Sequence, residues 1–253
     1  MKITILTIVI ALLLLALPGY VLARLDLPLM KRTGRGVATM VVQTLVVGLL
    51  TWALWKVPSP WLCALWLLVV TMVATWVMMN RSRLPMQRLF LPAWAAMTVA
   101  VAVAGLLTLL AVGVDHLLAP RWVVTVSAVL TAHVLTTNIR GLSTYFETLR
   151  TDSTSYYAQL GNGASRPVAL TPYVRQALRS MMEPTVATMA AIGLPVLPML
   201  LSGLLMGGLS PLLATGLFLV LTAAGLAASV GALLLTVWMA DRYMFDKRGA
   251  LKA

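Results

Sequence analysis

Residues 140–183 read RGLSTYFETLRTDSTSYYAQLGNGASRPVALTPYVRQALRSMME, the one stretch long enough and polar enough to work in water. Apolar runs bracket it on both sides, so it forms an arm between membrane-embedded segments. In its first half Leu142, Tyr145, Phe146, Leu149, Ser153, Tyr156, Tyr157 and Leu160 recur at i, i+3, i+4, i+7 spacing, which predicts a helix with one face to be covered. The run breaks at Gly161-Asn162-Gly163, where glycine allows positive φ and a reversal. A second short segment, Ala164 to Leu170, follows. Thr171-Pro172 then predicts an N-cap with proline at the first helical position. The next helix stacks Arg175 over Arg179 at i, i+4 and runs through Glu183-Pro184 back to the membrane. Such an elbow is suited to transmitting a push.

Working outward, 60% of the residues are hydrophobic and 10% charged. Apolar runs of about 20 residues recur along the whole chain, a pattern that excludes an ordinary water-soluble core. The fold class is therefore all-α, a polytopic integral membrane protein. A net charge of +12 would suggest nucleic acid in a soluble domain. Here the basic residues fall between apolar runs instead of forming one patch, so no nucleic-acid partner is expected. Cys63 is the single cysteine, which rules out an intrachain disulfide and any multi-cysteine metal site.

Seven spans follow in order: Ile3 to Ala23, Val37 to Trp55, Trp61 to Met79, Leu89 to Val114, Trp122 to Ile139, Pro184 to Leu209, and Pro211 to Ala240. The last two are joined by almost nothing and predict a tight helical hairpin. A cleaved signal peptide is the rival reading of the first run, since Val21-Leu22-Ala23 resembles a cleavage site. Charge decides between them. Segments 24–36, 80–88, 140–183 and 241–253 carry 16 of the 19 Lys and Arg. Seven spans with the amino terminus outside place all of these on one face, which the positive-inside rule makes cytoplasmic, together with the carboxyl terminus. Removing the first run would invert them. The arm is expected in the cytoplasm.

The sixth span is unusual. Gly193, Pro195, Pro198, Gly203, Gly207 and Gly208 lie close together, and prolines free carbonyls that in lipid need another partner or a polar cavity. Gly203-xxx-Gly207 places two small residues on one face for close helix approach, and Ala223, Ala224, Gly225, Ala227, Ala228 and Gly231 of the seventh span are available to receive it. A broken sixth helix, with Glu183, Gly193, Pro195, Pro198 and Met199, is expected to line a translocation route. Glycine and proline are also simply common in membrane helices, which is the plainer explanation of the glycines.

Enzymatic motifs are sparse. No GxxxxGK[ST] run is present, and GlyAsnGlyAlaSerArg lacks both the lysine and the spacing for a phosphate loop. Neither HExxH, GxSxG nor paired intramembrane aspartates occur. His133 is the only histidine within a span; it either holds a ligand or is hydrogen-bonded to a neighbouring helix. Glu183 either meets cations or pairs with Arg179. The fifteen methionines are scattered. They read mainly as packing, with Met78-Met79 and Met181-Met182 pointing to different faces.

Several stretches together carry a resemblance: LGNGASRPVA, RQALR, PTV followed by IGLPVLPM, then SG and GLSP, with Gln43, Gly48 and ATW…NRSR at 74–83 in weaker support. They resemble the Fet-type permeases, membrane subunits of ABC transporters that include bacterial metal exporters and plant aluminium-sensitivity permeases. The resemblance covers most of the chain. It implies one permease domain, residues 1–253, that dimerises in a bacterial inner membrane and exports a substrate such as iron. ATP and Mg would be held by a separate ABC ATPase subunit, with no cofactor on this chain and no catalytic residue. It also implies a coupling helix within the arm, around Leu160, Gly163, Ala164, Ser165 and Ala169, backed by Arg175 and Arg179. The chain departs from the family at Ala187 and Ala190, at Leu197-Pro198-Met199-Leu200-Leu201, at Gly216-Leu217 and at His133, all places where the family carries polar or otherwise distinctive residues. A metal path loses support there, while the coupling residues are intact. The alternative is a non-transporting membrane scaffold whose basic arm holds anionic lipid or a cytosolic partner.

Overall fold

The computed structural model describes residues 30–57, 59–82, 84, 86–113, 119–191 and 198–244, with isolated positions before residue 30. The predicted first span thus lies largely outside the described residues, as do Gly193 and Pro195. Two compact units are present, Met1–Val57 and Pro58–Ala253. Among the described residues all regular structure is helical.

The first unit carries α1, Met30–Lys56. Its Thr33–Lys56 portion is long and apolar enough to cross a bilayer. Lys56 ends it, with the ammonium 3.9 Å from the centroid of the Trp52 ring. A cation in the last turn also complements the helix dipole.

The second unit contains α2 (Pro60–Ser82), α3 (Met86–Val112), α4 (Pro120–Thr151), α5 (Ser153–Gly161), α6 (Arg166–Ala191), α7 (Met199–Met206) and α8 (Pro211–Met244). Three of these helices begin on proline, whose fixed φ suits a first helical position and whose missing N–H costs nothing there. Together with α1, the helices α2, α3, α4 and α8 make five that are long and apolar enough to span a membrane. They coincide with the predicted second, third, fourth, fifth and seventh spans. Hydrocarbon offers no partner for a backbone amide, so long apolar segments close their hydrogen bonds internally.

Helix α4 is the centre of this unit and packs against α2, α3, α6 and α8. Leu130 and Val134 are fully enclosed on it. Met78 and Met79, adjacent on α2, are both buried, and α2 packs against both α3 and α4. Hydroxyls link the helices at several heights. Thr71 and Thr98 share a 2.8 Å hydrogen bond between α2 and α3, Thr137 donates to Ser229 at 2.9 Å between α4 and α8, and Ser82 donates to the Ile139 carbonyl of α4. Each such bond contributes about 0.6 kcal/mol in a membrane interior.

Three local expectations are corrected. First, α4 does not stop at Ile139 but continues unbroken through Arg140 to Thr151, so the first half of the arm is an extension of the fifth span. Second, Thr171-Pro172 is not a helix start. Both lie inside α6, and the Thr171 hydroxyl donates backward to the Pro167 carbonyl. The helix begins earlier because the turn at Gly163 already sets its entry, and Pro167 occupies the first turn where proline is tolerated. Third, Gly203 and Gly207 receive no neighbouring helix among the described residues. The predicted sixth span is two pieces, the end of α6 and the eight-residue α7, and α7 is too short for a long helix seam. The small residues of α8 meet α4 and α3 instead: Gly225 faces His133, and Gly231 faces Ala100. The hairpin itself is present, with Gly208 at φ +90 turning α7 toward α8.

Candidate functional site

Two features of the second unit stand out, the arm and a cavity between helices, and α6 belongs to both. The arm begins where α4 ends. Asp152 breaks the helix at φ −110 and ψ 36, and α5 continues from Ser153. The Tyr173 hydroxyl of α6 donates to the Asp152 carbonyl at 2.9 Å, so a side chain from the returning helix secures the break. At the far end of α5 the Gly163 N–H bonds the Leu160 carbonyl and the Ala164 N–H bonds that of Gln159, both at 3.0 Å, with Gly163 at φ +86. This pair of bonds is a Schellman ending, and it needs a left-handed residue just after the C-cap Asn162. The break expected at Gly161-Asn162-Gly163 is thus made by Gly163 alone.

The inner face of the arm is the predicted one. Leu142, Tyr145, Phe146, Leu149 and Tyr156 are buried and Leu160 is half-buried, while Tyr157 is exposed. Around Tyr156 lies a polar knot that spacing along the chain could not show. Arg166, at the start of α6, reaches Asp241, near the end of α8, at 3.6 Å. Burial pushes the Tyr156 phenol above its usual range, the Arg166 charge opposes that shift, and the Asp241 charge adds to it. Burial likewise raises Tyr173. The arm is therefore fastened to α4 and to the end of α8.

The outer face of the arm is open. Gly163, Ser165, Arg175 and Arg179 are exposed, and Leu160 and Ala164 are half-buried. Ala169 is fully buried against the core, as are Tyr173 and Ala177 on the same stripe. Val168, which sequence reasoning passed over, is 58% exposed on the outer stripe that continues to Thr171, Arg175 and Arg179. Glu183 pairs with Arg179 at 2.5 Å, and both side chains are exposed. That exposure makes the contact a weak contributor to stability.

The cavity, about 530 Å³, opens between α4, α6, α7 and α8. His133, Thr136, Thr137 and Arg140 line it from α4; Met181, Pro184, Thr185, Thr188 and Met189 from α6; Leu200 from α7; and Phe218, Leu221 and Thr222 from α8. Of the expected path residues, Pro198 is the N-cap of α7 and Met199 stands 91% exposed beside Leu200. Glu183 is not part of the lining, although Pro184 next to it is. His133 lies against Gly225, where an added Cβ would stand 3.0 Å from the imidazole Cγ and Cδ2. Its Nε2 is buried and has no hydrogen-bond partner among the described residues, and the same holds for the Asn138 Oδ1 on α4. Arg140 sits seven residues from His133 on the same helix face, a spacing that could have revealed the pair. The threonine hydroxyls of α6 donate to their own helix, Thr185 to the Met181 carbonyl and Thr188 to that of Pro184. Among the described residues no three His, Cys, Asp or Glu side chains cluster to hold a metal ion.

A family model described as "Uncharacterised protein family (UPF0014)" matches residues 5–245. No curated protein and no solved structure matches the chain.

Proposed function

The chain belongs to the UPF0014 family, and from that premise we propose that it is the membrane-spanning subunit of an ABC transporter. The observation that carries this reading is the course of α6. Over its 26 residues, about 39 Å at 1.5 Å per residue, one helix bears the exposed Val168, Arg175 and Arg179 at one end and the cavity wall Met181–Met189 at the other. A force applied at the tip reaches the cavity through a continuous element. Buried Tyr173 and the Arg166–Asp241 pair carry the same displacement into α4 and α8. Such a lever suits alternating access, with the elbow around residues 158–171 rocking the walls of the cavity between two openings.

The rest of the proposal follows from charge and likeness. The subunit crosses a bacterial inner membrane seven times, amino terminus outside and carboxyl terminus in the cytoplasm. It pairs with a second copy, and its arm docks on an ABC ATPase subunit that binds ATP and Mg. Val168, Tyr157 and Arg175 offer that partner an apolar knob beside a cation. Export is retained from the Fet-type likeness, and a metal cargo is not. Among the described residues an iron ion would find one imidazole and no carboxylate around the cavity, a poor set for a hard cation.

Co-purification with a candidate ABC ATPase subunit tests the reading. The complex should hydrolyse ATP in liposomes, and Val168→Glu and Arg175→Glu should abolish association while leaving the melting temperature of the chain unchanged. A chain that binds no nucleotide-dependent partner, and whose arm retains anionic vesicles instead, would be a scaffold.

A further inference from the structure

The lining of the cavity has a polarity that identifies what fits it. Arg140 is exposed at one end, and His133 lies two helical turns, about 10 Å, farther along the same face of α4. The imidazole is fixed by its contact with Gly225, and its Nε2 is a buried polar atom that nothing among the described residues satisfies. Such an atom costs free energy unless a ligand or solvent meets it. Among the described residues no carboxylate lines the cavity. The acidic residue nearest in sequence, Glu183, is held outside by Arg179. A cation entering here would meet the Arg140 guanidinium and find no counter-charge among the described lining residues, whereas an anion would find one. The remaining surface is apolar, with Leu200, Phe218 and Leu221 opposite α4. The volume falls in the range of sites for drug-sized organic molecules.

We propose that this cavity binds an amphipathic anion, a phosphate monoester or carboxylate bearing an apolar body. The head accepts hydrogen bonds from the Arg140 guanidinium and from the Nε2–H of His133, and the body lies against Leu200, Phe218 and Leu221. Arginine matches the planar, multi-oxygen geometry of such a head, and histidine is a donor at Nε2 in the corresponding neutral tautomer or as the cation. As the transporter's cargo, this molecule rests on the permease reading; its binding to the chain does not.

Isothermal titration calorimetry of the full chain in phosphatidylcholine nanodiscs, with empty discs subtracted, tests the binding without an ATPase. The probes are hexyl phosphate, hexanoate, hexanol, hexylammonium and manganese(II). Both anions should bind saturably, and hexanol and the two cations should not. Arg140→Gln and His133→Ala should each weaken hexyl phosphate by roughly tenfold or more, the loss of one charge-assisted hydrogen bond. His133→Gln, which keeps an N–H donor, should recover part of that loss and guards against a folding defect in the alanine variant. Equal heats for all amphiphiles, binding that survives both substitutions, a preference for either cation, or no binding at all would each overturn the proposal. Repeating the hexyl phosphate titration in discs containing phosphatidic acid identifies the source of the anion. A weakened titration means that membrane lipid competes for the cavity, and an unchanged one means a water-soluble anion. Failure of ATPase coupling with intact anion binding would remove the transporter reading and leave the site.

Discussion

Gly225 shows how closely α4 and α8 approach. A methyl group there would stand 3.0 Å from two ring atoms of His133 and 3.4 Å from its Cβ, so the imidazole root, not a flexible end, would have to move. Gly225→Ala should therefore destabilise the protein by about 1–3 kcal/mol, the usual cost of overpacking. Melting of the detergent-solubilised chain measures this, and His133→Ala placed on top of it should recover most of the loss. Gly141→Ala provides the contrast. Its nearest neighbour is the Leu233 Cδ1 methyl at 3.1 Å, the end of a flexible side chain, and a shift of a few tenths of an ångström relieves it. The alanine at 141 should cost less than the one at 225; the reverse order would mean that the His133 seat is not rigid.

At the scale of elements, five of the seven expected spans were legible because a bilayer demands about 20 apolar residues per crossing and closed backbone hydrogen bonding. The end of α4 was not legible. Hydropathy falls where a helix leaves the membrane, but the backbone has no reason to stop there, and α4 runs on from Ile139 to Thr151. Thr171-Pro172 misled because it has the composition of a start, while the turn fixed by Gly163 had already launched α6. That turn gives a sharp comparison. Gly163 has φ +86, so Gly163→Ala should cost about 1–2 kcal/mol even though the space around it is open. Gly161 is the last residue of α5 and also has open space, so Gly161→Ala should be neutral or slightly stabilising. Melting of the detergent-solubilised variants reads the difference, lowered in the first and not in the second. The arm also has a pH signature. Burial raises the folded-state phenol values of Tyr156 and Tyr173, so their contribution is full below the unfolded value of about 10 and is lost as pH rises through the higher folded values. Melting temperature should fall in that alkaline window, and Tyr156→Phe should flatten the fall.

For the whole molecule, the cavity was the least legible feature, because α4 and the consecutive α6, α7 and α8 together supply its walls and no single stretch of chain carries its signature. His133 was visible as an intramembrane ionisable residue, whereas Arg140 was read only as the first residue of the arm; continuity of α4 unites them. The direction in which the cavity and arm face depends on topology, and charge counting is the argument for it. Positive residues concentrate in segments 24–36, 80–88, 140–183 and 241–253, where 16 of 19 reside, so the proposed topology puts the arm in the cytoplasm and Ser59 on the opposite side. With Cys63→Ser as background, Ser59→Cys and Ser165→Cys each place a single thiol in the second unit. Ser165 is exposed and Ser59 half-exposed, so either substitution leaves the packing alone. A membrane-impermeant maleimide added to intact spheroplasts should label the Ser59→Cys chain and spare the Ser165→Cys chain, and inverted vesicles should show the opposite. If the Ser165→Cys chain were labelled from outside, no cytosolic ATPase could reach Val168 and Arg175, and the lever formed by α6 would have nothing to drive it.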